Sequence, residues 1–195
     1  MEKKTDRRIR KTKKQLRDGL AKLMTKKSIN EITVKELVEE VDINRSTFYL
    51  HYTDIHDMLE QLENELMNDL VSIITLGEEQ IKDIEEGSVH LVKLFTVLDK
   101  NRDLCRALSG PHGDMSFITK LESYIADSSS DFANKIFKST NKEDIMYIHS
   151  YCISGCVGMV KNWIIEDRKE TPEHMAKLTY DMLTNTLKSY ISTDF

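Results

Sequence analysis

Apolar residues recur along this chain at intervals of three and four, the spacing of one buried helix face. Ile9, Leu16, Leu20, Leu23 and Met24 form the first stripe and predict a helix from about Asp6 to Lys26, behind a polar, basic arm at residues 1–8. Thr33-Val34-Lys35-Glu36 opens a second helix. A Thr hydroxyl and a Glu carboxylate three residues apart can each satisfy a free N–H group of the other's turn. Val34, Leu37, Val38 and Val41 line this helix, which ends near Asp42. Asn44, a good N-cap, predicts a short third helix to about Tyr52. Thr53 or Asp54 then caps a long fourth helix with the stripe Met58, Leu59, Leu62, Leu66, Leu70, Ile73 and Ile74.

Beyond Gly77 the pattern predicts helices over about 78–85, 88–99 and 101–109, then a loop at Gly110-Pro111-His112-Gly113. A helix over about 114–138 follows, and Asn141 caps another over about 142–168 that is apolar on more than one side. Thr171-Pro172 reads as an N-cap followed by Pro at the first helical position, opening a last helix to about Ser192. No strand is needed, so the expected fold class is all-α. Seven Gly and two Pro in 195 residues are too few for the many tight turns of a sandwich or barrel.

Charge divides the chain. Residues 1–27 hold 12 basic and 3 acidic side chains, whereas residues 51–195 hold 14 basic and 25 acidic. The net charge of -5 conceals this contrast. A basic head on an acidic body points to a polyanion as partner of the head alone. Lys3, Lys4, Arg7, Arg8, Lys11 and Lys14 crowd the first turns of the first helix, where cations oppose the helix dipole. Phosphate contact would account for them. Three cysteines, Cys105, Cys152 and Cys156, form no paired framework and suggest reduced thiols. No apolar signal segment or membrane-length stretch is visible, so the expected location is the cytoplasm.

Two short helices joined by a tight turn behind a longer one form a helix-turn-helix pattern, whose third helix would enter the major groove of DNA. Phe48 is placed to face the core of the three helices; Arg45, Thr47, Tyr49 and His51 would point outward. Arg can pair with guanine, Thr can touch thymine, and Tyr and His at the helix end suit phosphates.

Residues 6–60 resemble the DNA-binding domain of the TetR family of bacterial regulators. The resemblance lies in Ile32-Thr33-Val34-Lys35-Glu36-Leu37, in Ile43-Asn44-Arg45-Ser46-Thr47-Phe48-Tyr49-Leu50-His51-Tyr52, and in Asp57-Met58-Leu59. It implies a helix-turn-helix domain at 1–53, a helical regulatory and dimerisation domain at 54–195, about nine helices in all, and a homodimer on palindromic double-stranded DNA. Carried over by position, Thr33 and Lys35 would contact the DNA backbone, Arg45, Ser46 and Thr47 would face bases, and Tyr49, His51 and Tyr52 would hold phosphates. The pattern departs at Ile55, where the family often has Lys, and at Ser28, where it often has Gly. The segments Asn101–Leu108, Gly110–Asp114 and Gly155–Trp163 resemble a subgroup common in Gram-positive bacteria, which includes regulators of dihydroxyacetone-utilisation genes that work with a partner protein.

In the body, Gly155 and Gly158 would let a second helix approach closely, as a dimeric four-helix bundle requires. Phe95, Cys105, Phe117, Tyr124, Tyr147 and Tyr151 are candidates for a small-molecule effector site, and suit an ordinary core equally well. His149, Cys152 and Cys156 share one helix face and offer a metal or thiol sensor as an alternative, although buried structural Cys is the commoner case. A body that docks a partner protein is another. No cofactor or enzyme motif is visible: there is no Gly-rich phosphate loop, no HExxH and no G-x-S-x-G. The sequence therefore reads as a DNA-binding regulator, a repressor released by an effector, and not as an enzyme.

Overall fold

A computed structural model describes residues 2–80, 84–112, 116–136, 141–166, 168–188 and 190. Among the described residues there are nine α-helices and no strand: α1 (Glu2–Met24), α2 (Val34–Glu40), α3 (Arg45–Tyr49), α4 (Ile55–Gln80), α5 (Ile84–Lys100), α6 (Arg102–Ser109), α7 (Ser116–Ile136), α8 (Lys142–Ile165) and α9 (Pro172–Lys188). The fold is all-α, as the periodicity predicts. No helix among the described residues is long and apolar enough to cross a membrane.

Several helix ends and caps differ from expectation: α3 stops at Tyr49, short of Tyr52, and α5 begins at Ile84, ahead of residue 88. α1 begins at Glu2, so the segment expected as an arm is largely helical. α4 runs through Gly77 to Gln80, and no separate helix spans 78–85; part of that expected helix, residues 81–83, lies outside the described residues. The Thr33–Glu36 capping box is half made. Thr33 Oγ1 accepts from the Glu36 N–H at 3.2 Å, but the Glu36 carboxylate pairs with Lys27. A carboxylate acting back on the chain appears instead one turn earlier, where Glu31 accepts from the Ser28 N–H at 3.0 Å. This closes the turn after α1 without glycine.

The chain forms two compact units, Met1–Leu66 with Asn101–Phe117, and Met67–Lys100 with Ile118–Phe195. In the first, Leu16, Leu20, Leu37, Phe48, Met58 and Leu108 are fully buried, drawing one core from five helices. Gly19 lies at the close approach of α1 to α2: a Cβ there would stand 2.3 Å from Val41 Cγ1. The turn from α2 to α3 is a Schellman motif. The Ile43 N–H donates to the Val38 carbonyl at 3.0 Å and the Asp42 N–H to the Glu39 carbonyl at 3.4 Å. Asp42 takes the left-handed backbone, φ 52°, that usually falls to Gly or Asn.

In the second unit α5 and α9 pack side by side. Phe95 meets Trp163 edge-on at 5.4 Å between ring centres, and Trp163 Nε1 donates to the Glu170 carbonyl at 3.0 Å. The indole thus buries its rings while satisfying its one donor.

Candidate nucleic-acid interface

α3 is only five residues long, and its position depends on its ends. Asn44 Oδ1 accepts from the Ser46 N–H at 3.1 Å, and the Asn44 carbonyl accepts from Thr47 and Phe48. Phe48 anchors the helix from below, fully buried, against the Tyr52 ring at 5.7 Å. The opposite face is open. Arg45, Ser46 and Tyr49 are exposed, and Thr47 and His51 are half-buried. Tyr49 is 55% exposed yet rests one edge on Phe48 at 5.4 Å, which limits its freedom without hiding its hydroxyl end.

α2 presents Thr33 and Lys35, both exposed. Lys35 sits 3.9 Å from Glu39 one turn on, a solvated pair of little energetic weight that leaves the ammonium available.

Tyr52 departs from its carried-over role as a phosphate holder. It is 3% exposed and belongs to the core. Its hydroxyl is pushed up to about 12, by burial first and then by the Glu65 and Asp57 carboxylates. Within this run Tyr49 stays exposed and His51 half-buried. Ile55, the departure from the family pattern, is buried as well, so this position serves packing. Leu50, to which the sequence assigned no role, is 79% exposed.

Charge surrounds this face unevenly. Lys13, Lys22 and Lys27 are paired with Glu65, Glu40 and Glu36. Lys22 holds the Glu40 carboxyl below the usual carboxylate range. Arg7, Arg8, Arg10, Lys11 and Lys14 on α1, and Arg45 on α3, are exposed and have no acidic partner among the described residues. Cations left without internal partners create a field that a polyanion can neutralise.

The six effector candidates are divided between the two compact units. Cys105 and Phe117 are core residues of the first unit, and burial pushes the Cys105 thiol up to about 12. Phe95 is committed to Trp163, and Tyr124 is half-buried with its hydroxyl 2.9 Å from Thr75 Oγ1. Tyr147 and Tyr151 are 67% and 65% exposed. Helical spacing placed these residues on apolar faces without telling which face meets which neighbour.

His149, Cys152 and Cys156 do not assemble a metal centre; among the described residues no group of three or more His, Cys, Asp or Glu could hold an ion. His149 Nε2 lies 2.7 Å from Ser129 Oγ, whose own proton goes to the Ile125 carbonyl, so the imidazole donates there. Burial raises both thiols on this helix, Cys156 to about 11.

An all-α chain with a helix-turn-helix whose third helix is anchored from beneath and bare above defines a class, the helical transcriptional regulators. Residues 85–185 match the family model described as the transcriptional regulator C-terminal region of TetR proteins, which is just over half of the chain. The chain belongs to the TetR family of transcriptional regulators. It is 23% identical over 181 residues to the HTH-type transcriptional regulator YxbF of Bacillus subtilis, which covers 90% of this chain but 45% of that protein. The chain therefore spans about half the length of that curated relative. Among solved structures it is similar to the dihydroxyacetone kinase operon activator DhaS, at 18% identity and TM-score 0.58 over 93% of this chain and 98% of the other. A TetR regulator from Streptococcus agalactiae matches at 22% identity and TM-score 0.55 over 94% and 99%. At these identities the two structures speak for the fold.

Proposed function

We propose that this chain is a homodimeric repressor that reads a palindromic DNA operator through α3 and is released by a small-molecule effector. The observation that carries DNA binding is the bare outer face of α3, anchored by buried Phe48, together with exposed cations on α1 that have no acidic partner among the described residues. Arg45, Ser46 and Thr47 face bases in this reading. Tyr49, His51, Thr33 and Lys35 hold the backbone, which sets register without reading sequence. Residues 1–53 are the DNA-binding head and 54–195 the regulatory body. The head's compact unit extends beyond residue 53 to Leu66 and includes Asn101–Phe117.

A second copy is proposed to seat on α8 and α9. Met146, Tyr147 and Tyr151 on α8 and Leu178 and Met182 on α9 are large apolar side chains exposed in the isolated chain. On α8, a Cβ at Gly155 or Gly158 would meet nothing within 4 Å, which leaves room for a partner helix. Twofold pairing would present two recognition helices about one helical turn of DNA apart, roughly 34 Å. An effector would act by binding unequally to the operator-bound and released conformations.

Selection of genomic fragments by the purified full chain tests the reading. A palindromic motif beside a small set of genes is the expected result, and no enrichment at moderate salt overturns it. Replacing Arg7, Arg8, Lys11 and Lys14 by Ala is expected to weaken binding to all sequences alike and to flatten the salt dependence by up to about 4 units of slope.

A further inference from the structure

Leu50 is the most exposed large apolar side chain among the described residues. A lone exposed Leu is ordinary on a protein surface; its position is what matters. Leu50 keeps helical dihedrals, φ −73° and ψ −17°, and the Phe48 carbonyl accepts from the His51 and Tyr52 N–H groups at 2.9 and 3.1 Å. The helical progression of α3 therefore carries through it. At about 100° per residue, Leu50 stands roughly 160° around the helix from Phe48, the side chain that anchors α3 to its core. Ser46, one turn earlier, and Thr47 share this outward face, with Arg45 and Tyr49 on one flank. The centre of the recognition surface is thus a branched hydrocarbon between two hydroxyls.

The major groove admits a helix, and the one methyl group displayed there is the 5-methyl of thymine. We propose that Leu50 is a specificity-determining residue of the operator, making apolar contact with a thymine 5-methyl in each half-site. The proposal rests on the operator-binding reading above. Charge complementarity supports DNA as the occupant, since exposed cations with no acidic partner among the described residues lie on α3 itself at Arg45 and on α1 of the same compact unit. Arg45 supplies hydrogen bonds and charge; Leu50 supplies the shape that separates thymine from cytosine where no hydrogen bond does.

The test uses the full chain and duplexes carrying its selected half-site, with each thymine replaced in turn by deoxyuridine. Uracil pairs as thymine does but lacks the methyl. At least one replacement is expected to weaken wild-type binding about threefold to tenfold, the scale of one or two buried methyl-sized groups. Leu50→Ala is expected to bind more weakly and to distinguish thymine from uracil there by less than about twofold. If no replacement affects the wild type, or if Leu50→Ala keeps the full preference, the proposal is overturned. Should Leu50→Ala bind too weakly to titrate, Leu50→Val decides by the same ratio: a reduced preference supports the contact and an unchanged one overturns it. A wild-type chain that selects no half-site at all overturns the operator reading itself, and this contact falls with it.

Discussion

Arg17 Nη1 donates a 3.0 Å hydrogen bond to Asn101 Oδ1, tying the middle of α1 to the residue that starts α6. Asn101 occupies the N-cap of α6, yet its side chain makes no capping hydrogen bond. Its carbonyl oxygen serves the tertiary contact instead. A charged donor and a half-buried acceptor make this a bond of above-average worth. Asn101→Ala is expected to lower stability by about 1–2 kcal/mol in denaturant unfolding. Asn101→Asp keeps the acceptor and adds charge near a helix N-terminus, and is expected to match or exceed the wild type. Equal losses in both variants would show that the acceptor is not what matters.

Asp42 carries the left-handed corner between α2 and α3. An L residue pays for that conformation in Cβ crowding, Asp less than most because its short polar side chain bonds locally. Asp42→Gly is expected to be neutral or to stabilise by up to about 1 kcal/mol, Asp42→Ala to destabilise by about 1, and Asp42→Val by more. Thermal unfolding of the three variants checks the order. Val as stable as Gly would mean that the corner opens in solution.

Tyr49 and Tyr52 are three residues apart and are expected to fail in different ways. Tyr49→Ala is expected to weaken operator binding about tenfold or more while leaving the unfolding midpoint nearly unchanged, because it removes an exposed contact. Tyr52→Ala is expected to cost about 3 kcal/mol or more of stability, as large-to-small changes in a core do. Tyr52→Phe is expected to bind DNA within about twofold of wild type. A large binding loss in Tyr52→Phe at unchanged stability would return the hydroxyl to a phosphate role.

Tyr151 lies at the centre of the α8 face proposed to meet a second copy. In a twofold interface each substitution appears twice. Tyr151→Glu is expected to raise the dimer dissociation constant by at least about tenfold, with helicity retained. Sedimentation at micromolar concentration would read it directly. An unchanged dimer would move the interface to another face.

The helices were legible in the sequence because their signals are local. Apolar spacing of three and four, Asn44 and Asn141 as N-caps, and Thr171-Pro172 as a start each act within one or two turns, and the structure carries all of them. The Asp42 corner was not legible, because its left-handed turn lacks the glycine that usually announces one. On α3 the expected orientations match the observed burial: Phe48 is buried, and Arg45 and Tyr49 are exposed. Tyr52, carried over as a phosphate holder, is buried instead where the chain leaves α3, a placement set by tertiary packing. Tyr147 and Tyr151 show the same limit in the body. The spacing of residues along one helix establishes which side is apolar. Whether that side meets a core, a second copy or water depends on helices far away in the chain, and only the tertiary structure decides it.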